Sequence, residues 1–476
     1  MRITPPEELK ALSLACAGEG APLYIVGGAV RNALLNLPRT DTDITAALPQ
    51  ERMQAMAEAL RLPCTVMSAT LGTLQLRLSG QVYEYTPFRS ERYAAGGAHR
   101  PAEVRFDVTM AEDAARRDFT VNALYADCRT GEVLDPLGCG LRDLAARRLR
   151  VCTGETLRSD ALRILRLVRF SGELGFAVEE DTRRSARENA ALLKDIAPER
   201  RFSELMKILL CDVKYRPGDG ALWPWAPGRE LPLPAGESPA ALDSLLLLED
   251  IGAWEALVPA LTEGRGMAQR KDHHRYAVLE HAFHVAANTP PEPALRLAGL
   301  LHDVGKPACR RETGNNYDHD AYGEAIAGAA LAALRCPKAL SAEVCALVRA
   351  HMYDVQQTAR TATLRTRFAR WGRERTARLI CLRESDIRGC GTNDAYVNTR
   401  WRTLFAGMLA DGTPFSEAEL AVTGREIMEA AGLGPGEAVG RIKRQLFLHC
   451  AKRPQDNRRD RLLRLCRALA AEQGGR

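Results

Sequence analysis

The spacing of apolar residues changes once along this chain, near residue 145, and the change restricts the folds that it can adopt. Before that point LYIV (23–26) is a short apolar run, and TLQLRL (73–78) alternates apolar and polar residues before Ser79-Gly80 and VYEYT (82–86). Such alternation is typical of strands, and the short turn between the two segments predicts a hairpin. Later segments such as ALRILRLVRF (161–170) place apolar residues at helical spacing. The sequence therefore predicts an α/β domain followed by helical domains.

The distribution of proline, histidine and arginine divides the chain further. Proline and glycine are frequent between residues 215 and 239, where they would interrupt a helix. Histidines are concentrated after that segment, and arginines are dense near the end of the chain. We predict five parts: an α/β head over 1–145, a helical neck over 146–214, a linker with body helices over 215–270, a histidine-bearing helical domain over 271–390, and an arginine-rich helical tail over 391–476.

Composition excludes several classes of protein. No stretch approaches the roughly 20 apolar residues that span a bilayer, and MRITPPEELK at the start lacks an apolar signal segment, so we expect a cytoplasmic protein with no membrane partner. The 13 cysteines form no C-x2-4-C pair, which favours reduced thiols. The net charge of +6 does not by itself identify a nucleic-acid-binding protein. Dense arginines at 142–169, 183–201 and 458–467 nevertheless suit phosphate contacts or solvated helix faces.

The segment Asp41-Thr42-Asp43 carries the first candidate chemistry. On a strand, residues at i and i+2 point to one face about 7 Å apart, so both carboxylates could hold a pair of Mg²⁺ ions. Glu84, from a neighbouring strand, is the candidate third carboxylate. Upstream, the Gly27-Gly28 turn between a strand and a helix would let a triphosphate approach the backbone, with Arg31 near its charge. Taken alone, D-x-D is also common in surface turns and at helix N-caps.

The combination of these features is more specific than any one of them. GGAVRNALLNLPRTDTDI (27–44) closely resembles the signature of the nucleotidyltransferase superfamily of class II CCA-adding enzymes and bacterial poly(A) polymerases, in which G-G-x-V-R-D precedes D-x-D. Asn32 stands where that signature has its first aspartate. The resemblance implies a polymerase-beta-like head and continues in RRDFTVNALYAD (116–127). By this resemblance Arg117, Asp118 and Asn122 contact the sugar and phosphates of the nucleotide.

A further segment bears on the choice of base. SDALR (159–163) resembles the family's E-D-x-x-R motif, with Ser159 in place of the glutamate. The resemblance implies that Asp160 and Arg163 form hydrogen bonds with the base of the incoming nucleotide. Their i, i+3 spacing puts an acceptor and a donor on one helical face, although an N-cap followed by a surface arginine has the same pattern. ERRFSELMKILL (199–210) resembles a neck motif, and it implies that Glu199, Arg200 and Glu204 brace the helix of Arg163.

The histidine-bearing part resembles a different superfamily. His281, His302-Asp303 and Asp386 follow the order of ligands in HD-type metal-dependent phosphohydrolases, and LLHDVGKP (300–307) resembles the central motif. Imidazole and carboxylate ligands together suit a divalent transition metal or Mg²⁺. His319 and His351 lie where members with two metals often carry further histidines, but Tyr322-Gly323-Glu324 departs from the usual Gly-His and weakens the prediction of a second metal.

Together the resemblances imply an enzyme that adds CCA to the 3′ end of tRNA from CTP and ATP, with two Mg²⁺ ions in the head. The acceptor arm of tRNA would then lie along the basic neck, body and tail. A poly(A) polymerase shares the head motifs, and an enzyme that adds only CC or only A also fits. From another class, the chain could be an HD phosphohydrolase whose head only binds nucleotide. The resemblance also implies phosphatase, 2′-nucleotidase or 2′,3′-cyclic phosphodiesterase activity in the HD part.

Overall fold

A computed structural model describes residues 1–38, 42–93, 101–215, 225 and 230–474. They form two compact units. The first comprises the described residues up to 215, Pro239–Thr262 and Ala333–Arg335. The second comprises residue 225, residues 230–238, Glu263–Ala332 and the chain from Cys336 onward. The five boundaries drawn from the sequence stay predictions.

A seven-stranded mixed sheet forms the centre of the head, in the order β3-β4-β5-β2-β1-β8-β9. Strands β2 and β5 pair in parallel, and the other neighbours in this sheet are antiparallel. Short pairs form between β6 and β7 and between β10 and β11. The strands are β1 (Tyr24–Val26), β2 (Thr42–Ala46), β3 (Cys64–Ser68), β4 (Thr73–Leu78), β5 (Gln81–Pro87), β6 (Ser90–Tyr93), β7 (Pro101–Arg105), β8 (Tyr125–Asp127), β9 (Val133–Leu134), β10 (Arg148–Leu149) and β11 (Ala177–Val178).

The predicted hairpin is confirmed. β4 and β5 pair antiparallel from Leu74↔Tyr85 to Leu78↔Gln81. Ser79 and Gly80 between them have φ values of 49° and 82°, the positive pair that a type I′ turn requires. Tyr83 and Tyr85 are buried and Glu84 is exposed, so the alternation in the sequence decides which side chain leaves the core.

Helices cover this sheet, and one part of the core between them is an aromatic cluster. Tyr24, Phe88 and Tyr125 pack with ring centroids 6.0 to 6.3 Å apart, together with Val26 and Ala114. Ala114 lies on α4, so the cluster fixes that helix against β1 and β8. The helices of the head are α1 (Lys10–Gly18), α2 (Gly28–Leu34), α3 (Gln50–Ala59), α4 (Met110–Ala115) and α5 (Gly140–Ala145).

The rest of the first unit is helical, as predicted, apart from the short pair of β10 and β11. One apolar face of α7 packs against α9 and α10. Gly172 of α7 permits this approach, because an added Cβ would lie 2.4 Å from Ser244 Oγ and 2.6 Å from Cys211 Sγ. These helices are α6 (Thr156–Ser159), α7 (Leu162–Leu174), α8 (Glu180–Asn189), α9 (Pro198–Leu209), α10 (Pro239–Asp250), α11 (Trp254–Leu257) and α12 (Pro259–Thr262).

The described part of the second unit consists of helices and their connections: α13 (Val278–Asn288), α14 (Pro293–Leu301), α15 (Lys306–Thr313), α16 (His319–Ala333), α17 (Lys338–Ala350), α18 (Thr361–Trp371), α19 (Arg373–Gly389), α20 (Thr399–Ala410), α21 (Gly424–Ala431), α22 (Glu437–Lys452) and α23 (Arg459–Gly474). α13 packs against α14 and α19. An added Cβ on Gly299 would lie 2.9 Å from Ala286 Cα, and one on Gly389 would lie 2.6 Å from Val285 Cγ2. Glycine therefore allows the close packing of the helices that carry the predicted metal ligands.

No described helix is long and apolar enough to cross a membrane.

Candidate active sites

Two of the predicted metal ligands of the head lie next to each other. Asp43 of β2 and Glu84 of β5 are direct partners in the parallel register. Partners of this kind project from the same face of a sheet, and both side chains are exposed. Asp41, the other predicted ligand, lies outside the described residues. The structure thus places two carboxylates side by side without deciding the position of the third.

The glycine turn lies beside Asp43. Gly27 has φ 74° and ψ −135°, a conformation that a side chain disfavours. A Cβ built on it would lie 3.9 Å from Asp43 Oδ2 and 3.8 Å from Arg117 Nη1. Gly28 begins α2, and its added Cβ would lie 3.5 Å from Arg31 Nη2. Backbone, carboxylate and guanidinium groups therefore converge at this turn.

Arg31 is buried and oriented by amide oxygens. Its Nη1 donates to Asn122 Oδ1 at 2.5 Å, and its Nη2 donates to Asn32 Oδ1 at 2.8 Å. Burial lowers the pKa of Arg31. Asn32 also donates to the carbonyl of Pro38 at 3.0 Å. Asn32, the departure from the family signature, therefore still supports Arg31, but through a neutral oxygen.

Asp113, which was not predicted as a site residue, anchors Arg117. Arg117 Nη2 donates to Asp113 Oδ2 at 3.0 Å, and its Nε donates to Tyr125 Oη at 3.1 Å. Burial alone would raise the pKa of Asp113, but Arg117 and Arg116 hold it well below its usual range. The feature of the sequence that could have identified Asp113 is its i, i+3 and i, i+4 spacing to these two arginines.

Asp118 has a similar partner. Arg166 of α7 donates to Asp118 Oδ2 at 2.9 Å through Nε and at 2.5 Å through Nη2. Burial would raise the pKa of Asp118, but Arg166 and the amide of Asn122 lower it. Arg166, which lies three residues after Arg163 on the same helix, was not predicted as a site residue. This pair joins the predicted sugar-binding residues to the predicted base-selecting helix.

Arg163 lies in the first turn of α7, but Asp160 precedes that helix in extended conformation, with φ −141° and ψ 99°. The prediction that both residues lie on one helical face is therefore wrong, although both line the same cavity. Asp160 Oδ1 accepts a hydrogen bond from the backbone N–H of Leu162 at 3.1 Å, so it also supports the beginning of the helix. Arg163 donates to the carbonyls of Thr156 at 3.2 Å and Arg116 at 2.7 Å. These bonds fix the guanidinium and leave part of its five donors for a ligand.

Glu204 of α9 braces α7. Its carboxylate accepts from Arg169 Nη1 at 3.0 Å and from Lys207 Nζ at 2.9 Å. Arg169 lies on the helix that begins beside Arg163, so this buried pair restricts that helix.

A cavity of about 840 Å³ is lined by most of the residues predicted to bind the nucleotide. Glu84 does not line it, although Asp43, its register partner, does. Arg166 and Tyr215 also line it, and Tyr215 Oη lies 3.3 Å from both Arg31 Nη2 and Asn32 Nδ2. The predicted residues in its walls are Gly27, Gly28, Arg31, Asp43, Arg117, Asp118, Asn122, Asp160 and Arg163.

The four predicted ligands of the second unit also meet. His281 Nε2 lies 3.2 Å from His302 Nε2, 3.6 Å from Asp303 Oδ2 and 3.2 Å from Asp386 Oδ1. His302 Nε2 lies 3.3 Å from Asp303 Oδ2 and 3.7 Å from Asp386 Oδ1. Four ligand atoms this close together can surround one metal ion.

Two further histidines approach the other oxygen of Asp303. His319 Nε2 lies 3.1 Å and His351 Nε2 lies 3.8 Å from Asp303 Oδ1, and the two nitrogens are 3.2 Å apart. We call this group the second subsite. The Tyr322-Gly323-Glu324 departure does not remove it, because Gly323 packs against the backbone of Gly305 and the ligands come from α16 and the end of α17.

Backbone carbonyls orient all four imidazoles. The Nδ1 atoms of the four rings lie 2.6 to 3.2 Å from carbonyl oxygens, with the pairs His281 to Gly389, His302 to Gly299, His319 to Asn316 and His351 to Val348. A carbonyl only accepts, so each Nδ1 donates to its carbonyl and each Nε2 is directed toward the carboxylates. The Nε2 atoms of His281 and His302, and those of His319 and His351, lie 3.2 Å apart, an arrangement that suits metal ligands.

The electrostatics of this centre differ from one ligand to the next. Burial disfavours a charged His302, but Asp303 and Asp386 raise its pKa. Burial lowers the pKa of His351 to about 3, which keeps that ring neutral. Lys306 Nζ donates to Asp303 Oδ2 at 2.5 Å and to Gln269 Oε1 at 2.7 Å. Asp303 and Asp386 therefore favour positive charge next to His302, and Lys306 already balances part of the charge of Asp303.

His274 and Cys390 extend the cluster and were not predicted. Cys390 Sγ lies 3.3 Å from His274 Nδ1, and the rings of His274 and His281 are 4.9 Å apart. Burial lowers the pKa of His274 to about 4. No motif spacing in the sequence marked either residue.

A mixed sheet with paired carboxylates beside a glycine turn defines the first unit as a nucleotidyltransferase head, and the histidine-aspartate centre defines an HD-type domain in the second.

Comparisons with known proteins agree with this class. Residues 23–150 match the Poly A polymerase head domain, 175–215 match the probable RNA and SrmB-binding site of polymerase A, and 272–388 match the HD domain. An A-adding tRNA nucleotidyltransferase from Deinococcus radiodurans is 31% identical over 451 residues, which cover 89% of this chain and 90% of that protein. The chain therefore belongs to the tRNA nucleotidyltransferase family, whose head domain is shared with poly(A) polymerases.

Other relatives match over different lengths. A CCA-adding enzyme from a Geobacillus species is 39% identical over 194 residues, which cover 40% of this chain and 46% of that enzyme. Among solved structures, the Bacillus stearothermophilus CCA-adding enzyme in complex with CTP aligns over 99% of both chains with a TM-score of 0.66 and 23% identity. That alignment confirms the multidomain fold.

Proposed function

We propose that this chain adds CCA to the 3′ end of tRNA, using CTP and ATP and no nucleic-acid template. One observation carries the proposal: a single cavity contains Asp43 and the Gly27-Gly28 turn together with Asp160 and Arg163. Groups suited to a triphosphate thus lie in the same cavity as groups suited to the edge of a base. Relatives named as CCA-adding and A-adding enzymes support tRNA as the substrate. A cytoplasmic location is part of the same proposal.

The carboxylates fit a pair of Mg²⁺ ions, because Asp43 and Glu84 expose hard oxygen ligands on one face of the sheet. Together with Asp41 they would hold the ions, which when bound lower the pKa of the attacking hydroxyl and neutralise pyrophosphate. The 3′ oxygen of the RNA would form a bond to the α-phosphorus while the bond from that phosphorus to the bridging oxygen breaks. The hydroxyl proton would pass to solvent, and pyrophosphate would leave.

The other residues of the cavity would bind and orient. Arg31 and Arg117 supply positive charge for the triphosphate, and Asp113 and Asn122 fix their directions. Asp160 and Arg163 would accept from and donate to the base. Arg166 would hold Asp118 in place for the sugar.

Incubation with tRNA that lacks CCA, followed by sizing of products at single-nucleotide resolution, tests the proposal. We expect two added residues with CTP alone and three with CTP and ATP together. A long tail of A with ATP alone would instead identify a poly(A) polymerase. No incorporation from either nucleotide would refute CCA addition by this chain.

An enzyme that adds only A is a second candidate, because the relative aligned along 89% of this chain is an A-adding enzyme. Two tRNA substrates distinguish an A-adding enzyme from a CCA-adding enzyme. The A-adding enzyme would extend tRNA that ends in CC when given ATP, and it would leave tRNA without CC unchanged when given CTP.

We also infer that the second unit is a divalent-metal phosphohydrolase. The support is the set of inward-facing Nε2 atoms and carboxylates, which suits a transition metal or Mg²⁺. His281, His302, Asp303 and Asp386 would hold one ion, and Asp303, His319 and His351 would hold a second. A bound metal would supply an activated water for attack on phosphorus.

Metal analysis of the dialysed full-length protein, combined with assays on phosphate esters, tests this inference. We expect His281→Ala to lose metal and phosphate release while nucleotide addition to tRNA persists. Retention of the full metal content by this variant would contradict the assignment.

A further inference from the structure

The two described carboxylates of the head differ in their relation to the nucleotide cavity. Asp43 lines the cavity of about 840 Å³, whereas Glu84, its register partner on β5, does not. In phosphoryl transfer the attacking oxygen approaches in line with the leaving group and opposite to it. A triphosphate in the cavity sends pyrophosphate away from Glu84. The attacking 3′ oxygen of the RNA therefore has to come from the side of Glu84.

The face of the sheet that carries Glu84 is open in one direction. Val82 precedes Glu84 by two residues on β5, so its side chain lies on the same face about 7 Å away. Val82 is 43% exposed. In the other direction, Thr45 of β2 and Thr73 of β4 lie on this face by the strand register, and both are buried. The open surface therefore extends from Glu84 toward the turn between β4 and β5.

Arg77 of β4 provides positive charge on this open surface. It is the direct register partner of Val82, and antiparallel partners hold their side chains about 5 Å apart on one face. Arg77 is exposed, and it forms no ion pair within the residues that the structure describes. By contrast, Arg52 of α3 pairs with Glu19 at 2.7 Å. The guanidinium of Arg77 is therefore available to a phosphate.

The end of an RNA chain matches this surface in position and charge. A terminal nucleotide whose 3′ hydroxyl lies beside Glu84 carries its own 5′ phosphate at the far side of its sugar. Val82 provides apolar contact for that sugar, and Arg77 lies next to Val82. The incoming nucleotide has no need of this surface, because Arg31 and Arg117 line the cavity where its phosphates would lie. The acceptor RNA is the occupant that the charge favours.

We propose that the open face of β4 and β5 is the acceptor subsite, where the terminal ribose lies on Val82 and Arg77 donates to the last internucleotide phosphate. Arg77 is then a positioning residue, which directs the 3′ hydroxyl toward Glu84 without touching the reacting atoms. A phosphate contact of this kind holds RNA ends of any sequence. The proposal rests on the nucleotidyl transfer proposed above and adds the direction from which the RNA enters.

Removal of a single phosphate charge tests this contact. Two tRNAs without CCA are compared, one with a neutral methylphosphonate and one with a phosphate at the last internucleotide linkage. A 2′-O-methyl group on the preceding nucleotide keeps the linkage stable in both. We expect the neutral linkage to lower kcat/KM for tRNA about tenfold with the unmodified protein, because a hydrogen bond to a charged group is lost. With Arg77→Ala the two tRNAs should react equally well.

Matched variants and a second RNA control for indirect effects. Arg52→Ala changes an exposed arginine of α3, a helix that packs against β3 and β4 through its buried methionines, and it should keep the full preference for the charged linkage. Arg77→Lys retains a positive charge and should keep part of that preference. A methylphosphonate several linkages before the end should affect the unmodified protein and Arg77→Ala equally. The KM for CTP should stay unchanged in all three variants.

The possible failures are distinguishable. If the neutral last linkage lowers kcat/KM by the same factor in the unmodified protein and in Arg77→Ala, or lowers it in neither, the acceptor subsite is refuted. A raised KM for CTP in Arg77→Ala would assign this arginine to the triphosphate and would also overturn the proposal. No incorporation by the unmodified protein with either tRNA would refute the proposed function, and the subsite with it.

Discussion

The two candidate sites hold their carboxylates in opposite environments. In the head, Asp43 and Glu84 are exposed on neighbouring strands. In the second unit, Asp303 is 2% exposed and His281 is 0% exposed, among ligands that come from the ends and interiors of several helices. Burying a carboxylate costs several kcal/mol unless a cation or donors compensate, whereas an exposed one costs little.

This difference in exposure predicts how each site acquires its metal. Mg²⁺ typically binds to one or two protein carboxylates together with the phosphates of its substrate, as the exposed pair in the head suggests. A buried cluster of Nε2 atoms and carboxylates is arranged for a cation before any substrate binds. We therefore expect the head to bind metal together with the triphosphate and the second unit to retain it through dialysis.

The strongest loss of activity is expected for a carboxylate of the head. Asp43→Ala removes a carboxylate that would contribute several kcal/mol of transition-state stabilisation, so incorporation from CTP should fall by about a thousandfold or more. Initial rates with tRNA that lacks CCA measure this loss. Glu51→Ala, which removes an exposed carboxylate of α3 away from the cavity, is the control. Unchanged incorporation by the Asp43 variant would remove the basis of the proposed mechanism.

The second effect concerns the shared ligand of the metal centre. Asp303 presents one oxygen to His281 and His302 and the other to His319 and His351. We expect Asp303→Asn to abolish the metal that survives dialysis, and His351→Ala to lose only the second ion. Mass spectrometry of the metal content distinguishes the two variants. Equal metal content in them would show that Asp303 does not join two subsites.

The third effect is on the stability of the head. The pKa of Asp113 is lowered in the folded protein from an ordinary value of 3.8, so its contribution is complete above that value and is lost as the pH falls through the folded pKa. Asp113→Asn should cost about 3 kcal/mol at pH 7, because it leaves the half-buried Arg117 without its carboxylate and Arg116 with only Glu91. Urea unfolding should show the difference from the unmodified protein shrinking below about pH 4.

Asp107→Asn, at an exposed position of the head, is the matched control and should match the unmodified protein at both ends of the pH range. A cost for Asp113→Asn that stays constant down to pH 3 would exclude the ion pair as its cause.

The smallest effect is at the glycine turn. Gly27→Ala adds only one methyl group, but at φ 74° and ψ −135° this substitution should cost about 1 to 3 kcal/mol of backbone strain. We expect the KM for CTP to rise by roughly tenfold as the turn shifts from its position beside Asp43 and Arg117. Gly18→Ala, in open space at the end of α1, should leave the KM unchanged. Normal kinetics in the Gly27 variant would mean that the turn does not contact the triphosphate.

The sequence predicted the elements of the head better than its contacts. Alternating residues and the Ser79-Gly80 turn predicted the hairpin, because these signals depend on near neighbours. A neighbouring strand was expected to supply Glu84, but the parallel register that places it opposite Asp43 carries no local signal. The hydrogen-bonded ion pair of Arg166 with Asp118 was not predicted either, because the two residues are 48 positions apart in the sequence and no local pattern connects them.

The residues that can do chemistry and the segments that form strands or helices could be predicted from the sequence, since periodicity and motif spacing are local properties. The fold was needed to show that His319 and His351 share Asp303 with the first ligand set and that Tyr353, Arg367 and Trp371 line one cleft beside them. These placements depend on how closely helices pack, as where Gly389 allows α19 to approach Val285 of α13. Close packing satisfies many distant contacts at once, and no single segment of the chain encodes it.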